Sequence, residues 1–313
     1  MSALRSALPG YLALRRSLGF KLKDAGLQLP RFVGFMEQRH AEHITARLAL
    51  EWSKQSTTVQ PADWARRLGF VRGFAKYMSA TDAATEVPAA GLLPHRSGRA
   101  RPYLYSGQEI ERLLAAALEL PTAWPSTSLR PRMFHCLFGL LSVTGLRISE
   151  ALHLRVADVD LVDGILTIRG AKLGKDRLVP IHPSTCEVLA EYMRQREQML
   201  GSRRAEHLFV SHRGNRLDGG HVHRTFYALS RRTGLRAPGA NHGPRLHDLR
   251  HRFAMQTLLR WYSSGDDVAR RLLVLSTYLG HVHVKDTYWY LNAWPELMAQ
   301  AMVRLERRWG GES

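Results

Sequence analysis

Apolar residues return every three to four positions through much of this chain. In ITARLALEWSKQ (44–55) and PADWARRLGFVRGFAKYMSA (61–80) that spacing predicts amphipathic helices. Trp64, Leu68, Val71 and Phe74/Ala75 form one stripe of the second, and Pro61 suits a first helical turn. Arg66, Arg67, Arg72 and Lys76 fall off the stripe, available to solvent or to phosphate. Further on, YSGQEIERLLAAALEL (105–120) opens on a capping box, Ser106 with Glu109. MFHCLFGLLSVTG (133–145) is apolar all round but too short to span a bilayer, so it reads as a buried helix. In DGILTIRGAKLGKDRLVPIHP (163–183) the period changes to that of strands, Ile165–Ile168 and Leu178–Ile181, around a Gly/Lys loop. The remainder is mostly helical, with no internal repeat and no low-complexity tract.

The pattern breaks at VPAAGLLPHRSGRARPY (87–103), rich in Pro, Gly and Ala, where Arg96, Arg99 and Arg101 occur without an acid. This is the expected boundary, and it divides the chain into a helical domain (1–88), a basic linker (89–102) and a larger mixed domain (103–313). The predicted fold class is mainly α with a small β-sheet.

Charge narrows the partners. Among 313 residues there are 45 Lys+Arg against 27 Asp+Glu, a net charge of +18. Such a field attracts polyanions, nucleic acid first and an anionic membrane surface second. Cys136 and Cys186 form no CxxC pair, so neither a disulfide framework nor a zinc ribbon is implied, and a reducing cytoplasm fits. The N-terminal stretch is interrupted by Arg5, Arg15 and Arg16 and makes a poor signal peptide.

Three stretches carry candidate chemistry. In TGLRISEALHL (144–154), Gly145 permits a tight turn before a helix, and Arg147 and Glu150 are i, i+3 neighbours. Alone, that pair is an ordinary helix salt bridge; functionally, it is an arginine held ready to grip a phosphate in bidentate fashion. Lys172 and Lys175 lie in the hairpin loop GAKLGKD (170–176), which lacks the phosphate-loop pattern GxxxxGK[ST]. In HGPRLHDLRHRFA (242–254), His247, Arg250 and His251 share one side of a helix. His247 and His251 mimic the histidines of a zinc-protease HExxH helix, but Asp248 is one methylene shorter than the glutamate of that chemistry. A His and an Arg aimed together at a phosphate, or a plain basic face, are the other readings. One reaction unites the three stretches. In phosphodiester exchange, two arginines stabilise the pentacoordinate phosphorus, histidines supply hydrogen bonds or proton transfer, a lysine protonates the leaving oxygen and a tyrosine attacks, with no metal or other cofactor required.

The order of these residues, TGLRISEALHLRVADVD, AKLGKDRLVPI, HDLRH and LGH…Y, resembles the tyrosine recombinases (the phage integrase family, XerC/XerD-like) over about residues 103–300. The resemblance implies a catalytic set of Arg147, Lys172, His247, Arg250, His281 and Tyr290, with Glu150 in support. The family places its tyrosine nine residues after the histidine of LGH, and 281 to 290 matches; Tyr288 falls where the family usually has another residue. The two tyrosines point about 200° apart on a helix, so both cannot face one phosphate; Tyr288, Trp289 and Trp294 are then expected to be packing. The family also implies a two-domain DNA clamp, a helical core-binding domain joined to a mixed α/β catalytic domain. It acts through a 3′-phosphotyrosyl intermediate on double-stranded DNA with inverted-repeat sites, as a homotetramer, in some cases with sister recombinases, in the cytoplasm and without a membrane partner. Arg96, Arg99, Arg101, Lys175 and Arg245 are the expected DNA contacts. The end of the chain is more similar to recombinases of mobile elements than to Xer housekeeping enzymes. The stretch Arg250–His281 is longer than in compact members, and the amphipathic tail LMAQAMVRLERRW suits docking on its own domain or a neighbour. A non-catalytic DNA-binding regulator, a type IB topoisomerase and a zinc hydrolase are the competing functions.

Overall fold

The computed structural model describes residues 2–55, 59–94, 101–122, 129–170, 176–201, 203, 205–240, 242–293, 299 and 302. The chain divides into two compact units, Met1–Ala100 and Arg101–Ser313.

The first unit is helical: α1 (Ala3–Ser17), α2 (Lys23–Gln38), α3 (Ala46–Lys54) and α4 (Pro61–Met78). Side-chain oxygens of Ser2 and Thr45 cap α1 and α3 by accepting from the amides of Arg5 and Leu48. The α4 stripe packs as its period predicts, with Leu68, Val71, Phe74 and Ala75 buried against Phe32 and Trp52. Three of the four basic residues expected off the stripe are engaged instead. Arg66 is ion-paired with Asp24 at 3.3 Å and with Asp63 at 3.1 Å. The Arg67 guanidinium lies 4.2 Å from the Trp52 ring centroid. Arg72 donates to the carbonyls of Pro88 and Ala89, each at 2.8 Å. Long arginine stems cover apolar surface while their heads find acceptors, so an off-stripe position does not guarantee a free cation. The same contacts draw the start of the expected linker (89–102) onto this unit, where Leu93 is buried in its core.

The second unit contains α5 (Gly107–Leu118), α6 (Arg130–Thr144), α7 (Ile148–His153), β1 (Val159–Asp160), β2 (Ile165–Ile168), β3 (Arg177–Pro180), α8 (Pro183–Leu200), α9 (Gly219–Arg232), α10 (Asp248–Ser263), α11 (Val268–Leu279) and α12 (Lys285–Ala293). The Ser106/Glu109 capping box is formed. The apolar helix α6 supplies Phe134, Leu137 and Phe138 to the main core, where they meet Phe209 and Phe226. Each such ring contributes roughly 1.5–3 kcal/mol by leaving water. The sheet is antiparallel in the order β1-β2-β3, with Leu166 opposite Val179 and Ile168 opposite Arg177. Two details depart from expectation. The last strand begins one residue early because Arg177 completes the ladder with Ile168. Strand β1 is two residues long, too short for a periodic signal. In the long Arg250–His281 stretch, α10 and α11 form a second core with Tyr290 of α12. Among the described residues no helix is long and apolar enough to cross a membrane. Cys136 is buried, Cys186 half-buried, and both thiols are free.

Candidate active site

Two left-handed glycines end the helices that meet at the site. Gly145 closes α6 with φ 61°, and Gly280 closes α11 with φ 66°. Neither tolerates a side chain: a Cβ on Gly145 would lie 2.6 Å from the Phe253 ring, and one on Gly280 2.9 Å from the Arg177 guanidinium. Tight turns at helix C-termini present carbonyl oxygens, which carry partial negative charge and attract cations.

Both candidate arginines answer those carbonyls. Arg250, in the first turn of α10 and 2% exposed, donates to Gly145 O at 2.8 Å and Leu279 O at 2.6 Å. Arg147, immediately before α7, donates to Gly280 O at 2.9 Å and to Glu150 Oε1 at 2.7 Å. The two guanidinium groups are thus gathered around one turn. Burial, and then the charge of Arg147, lower the Arg250 pKa to about 10.

Glu150 is the carboxylate that makes this tolerable. It accepts a bidentate pair from Arg177, at 3.1 and 2.8 Å, besides the bonds from Arg147. Burial pushes its carboxyl up, but the hydrogen bonds and charge of Arg177, then those of Arg147, outweigh burial and bring it to about 2. Arg177 was not among the residues expected from sequence. It also donates to Tyr278 O at 2.8 Å, so one side chain ties β3, α7 and the end of α11 together. A charged residue opposite Ile168 at a strand start was the available signal, but its partner is 27 residues away.

Histidines line the other side. His247 precedes α10, its ring edge-on to His251 at 4.8 Å. Its surface reaches solvent, yet desolvation on its packed side, and then Arg250, lower its pKa to about 4. His281 Nδ1 is 2.6 Å from the hydroxyl of Thr287, a buried residue that sequence reasoning passed over although it lies one turn before Tyr290. The His281 and Tyr290 rings are nearly parallel, with centroids 6.4 Å apart.

The two tyrosines of α12 separate as helix geometry requires. Tyr290 is 2% exposed, whereas Tyr288 is 49% exposed. The Tyr290 hydroxyl is 3.0 Å from His251 Nδ1, and the Trp289 ring packs against both side chains. The packing role expected of Tyr288 does not hold, because about half of its surface faces solvent; Trp289 takes that role.

Other expected residues stand apart. Asp248, the acid of HDLRH, is buried and accepts from the Arg245 amide and Nη2, both at 2.8 Å. Arg245, expected as a DNA contact, is therefore paired, with 46% of its side chain exposed. No three potential metal-ligating groups cluster among the described residues. Arg101 is exposed at the start of the second unit. Arg96, Arg99, Lys172, Lys175, Trp294 and most of the C-terminal tail lie outside the described residues. The base of the lysine loop is described: the Gly170 amide donates to Asp176 Oδ1 at 2.7 Å.

The sequence profile of the phage integrase family matches residues 105–296. The integrase/recombinase-like protein y4rB of Sinorhizobium fredii is 55% identical over 310 residues, 99% of each chain. The tyrosine recombinase XerD of Bradyrhizobium diazoefficiens is 30% identical over 253 residues, covering 77% of this chain and 74% of the relative. Among solved structures, the Tn1549 transposon integrase in complex with transposon right-end DNA shares the fold, with a TM-score of 0.61 at 16% identity over 95% of this chain and 97% of that one. With paired arginines around one glycine turn and a profile match across most of the second unit, the chain belongs to the phage integrase family.

Proposed function

We propose that this protein is a site-specific DNA recombinase that cleaves and rejoins strands through a phosphate linked to Tyr290. The observation that carries the reading is the convergence on Leu279–Gly280–His281. Arg147 and Arg250 bond to the carbonyls of that turn, and the Tyr290 hydroxyl meets α10 at His251, the residue next to Arg250. A phosphate entering there would exchange backbone carbonyls for its own oxygens as acceptors of both guanidinium groups. Preformed cations aimed at developing charge are the main requirement of phosphoryl transfer. In this reading Tyr290 attacks phosphorus and the 5′-oxygen leaves. The phosphotyrosyl bond stores the energy for rejoining. His247 and His281 hydrogen-bond the phosphate, and Lys172 protonates the leaving oxygen.

The partner is double-stranded DNA, and the field of a +18 chain favours it. Inverted-repeat sites, a tetrameric assembly and a role in a mobile element belong to the same proposal. So do the division of labour between a DNA-gripping first unit and a catalytic second one, and DNA contacts by Arg96, Arg99, Arg101, Lys175 and Arg245.

The test begins with a duplex selected from random sequence by binding, nicked near the site so that the cleaved strand is lost. Wild-type protein is expected to form a protease-sensitive covalent adduct. Tyr290→Phe should abolish it while leaving binding intact, and Tyr288→Phe should leave it in place. An adduct lost only in Tyr288→Phe would overturn the assignment.

A further inference from the structure

We propose that His251 is a catalytic residue, the group that takes the phenolic proton of Tyr290 during cleavage and returns it during rejoining. The inference rests on Tyr290 being the nucleophile. A phenol has a pKa of about 10, so only about one in a thousand is ionised at pH 7, and attack requires a base at hand.

The geometry points to His251 rather than to its neighbours. Its Nδ1 is 3.0 Å from the Tyr290 hydroxyl, the separation of a formed hydrogen bond. The ring is fixed by three aromatic neighbours, His247 at 4.8 Å, Tyr290 at 5.5 Å and Trp289 at 5.6 Å between centroids. His281 directs its Nδ1 to Thr287 instead. His247 is a poor proton acceptor, because desolvation and Arg250 disfavour its charged form. Arg250 lies near enough to Tyr290 for a phenolate to stabilise its cation, and the same attraction favours the phenolate.

Tyr290 donates its O–H to His251 Nδ1, which must carry its lone pair there, with the proton on Nε2. The phenolic oxygen forms a bond to phosphorus, the bond from phosphorus to the 5′-oxygen breaks, and that oxygen takes a proton from the lysine side. His251 becomes an imidazolium. On rejoining, the 5′-hydroxyl gives its proton back to the lysine side as its oxygen attacks phosphorus, the bond from phosphorus to Tyr290 breaks, and the imidazolium returns its proton to the departing phenolate. His251 was legible in the sequence as part of a basic helix face or as one of a zinc-protease-like histidine pair; its role here depends on α12 meeting α10.

Full-length protein and the nicked duplex described above test this by single-turnover cleavage. His251→Gln retains a hydrogen-bond acceptor but cannot take a proton, and it should slow cleavage about a hundredfold with unchanged DNA binding. A ring-fluorinated, more acidic tyrosine at 290 should recover most of that loss in His251→Gln and change the wild type little. A substrate with sulfur in place of the 5′-bridging oxygen, a leaving group that needs no proton, should not recover it. Cleavage by His251→Gln within about threefold of wild type would overturn the proposal. So would a slow variant that the fluorinated tyrosine fails to rescue, since a residue that only packs predicts that result. If His251→Gln shows no cooperative melting transition, the unaltered protein decides. On the sulfur-bridged substrate it should retain a normal solvent deuterium isotope effect, and the absence of one overturns the assignment. An adduct that persists in Tyr290→Phe would instead sink the underlying reading.

Discussion

Glu150 sits with 7% of its side chain exposed between two arginines, and both would be left with uncompensated charge without it. Removing one member of a buried ion pair typically costs about 3–5 kcal/mol. Arg177→Met is therefore expected to lower stability in urea titration by about 3 kcal/mol, and adding Glu150→Gln should restore part of that loss. Strictly additive losses would mean that the two residues do not act as a pair. The pH dependence has a definite sign. The carboxyl of Glu150 falls from 4.5 to about 2 in the fold, so its contribution is complete above pH 4.5 and disappears as pH drops toward 2. Stability measured across that window should fall less steeply in Glu150→Gln than in the wild type.

At the scale of elements, the site is a meeting of helix ends. α6 and α11 stop at glycines, and their last carbonyls organise arginines that arrive from the starts of α7 and α10. Gly280→Ala adds a Cβ against Arg177 at a left-handed position, which should cost about 1–3 kcal/mol in chemical denaturation and slow cleavage as well. Gly19→Ala offers the comparison: it has a positive φ of 86° but open space around it, so only the backbone term applies and cleavage should be unaffected. Equal losses in the two variants would show that the contact with Arg177 contributes nothing. The element pattern itself was largely legible. The α4 stripe, the α6 apolar run and the Ser106 cap each announce themselves over a few adjacent residues, where period and capping act. Strand β1 was not legible, because two residues cannot show a period.

For the whole molecule, charge is the dominant fact. A chain of net charge +18 that neutralises several phosphates releases as many counterions, so binding to the selected duplex should fall about a thousandfold between roughly 50 and 200 mM salt. A flat response in a filter-binding or anisotropy titration would contradict a phosphate-gripping surface. Both units form their own cores, one around Phe32 and Trp52, the other around Phe134 and Phe226. The stretch 87–103 was visible in the sequence as a change in composition. The attachment of its first residues to α4 through Arg72 was not, since a basic residue in sequence carries no label for its acceptor.

The helical periods, the basic field, the turn at Gly145, and the order of residues by which Arg147, His247, Arg250, His281 and Tyr290 resemble one family are all readable along the chain. These are local or compositional properties, written in adjacent residues or in spacing along the chain. Packing in three dimensions made Arg177 complete the ion pair of Glu150, set Thr287 against His281, and turned His251 toward Tyr290. It also paired Arg245 with Asp248 and left Tyr288 at the surface. His251 and Tyr290 are 39 positions apart, and Arg177 and Glu150 are 27 apart. Such partners are chosen by how helices pack and where carbonyls are left unsatisfied, and neither is encoded in any single stretch of chain.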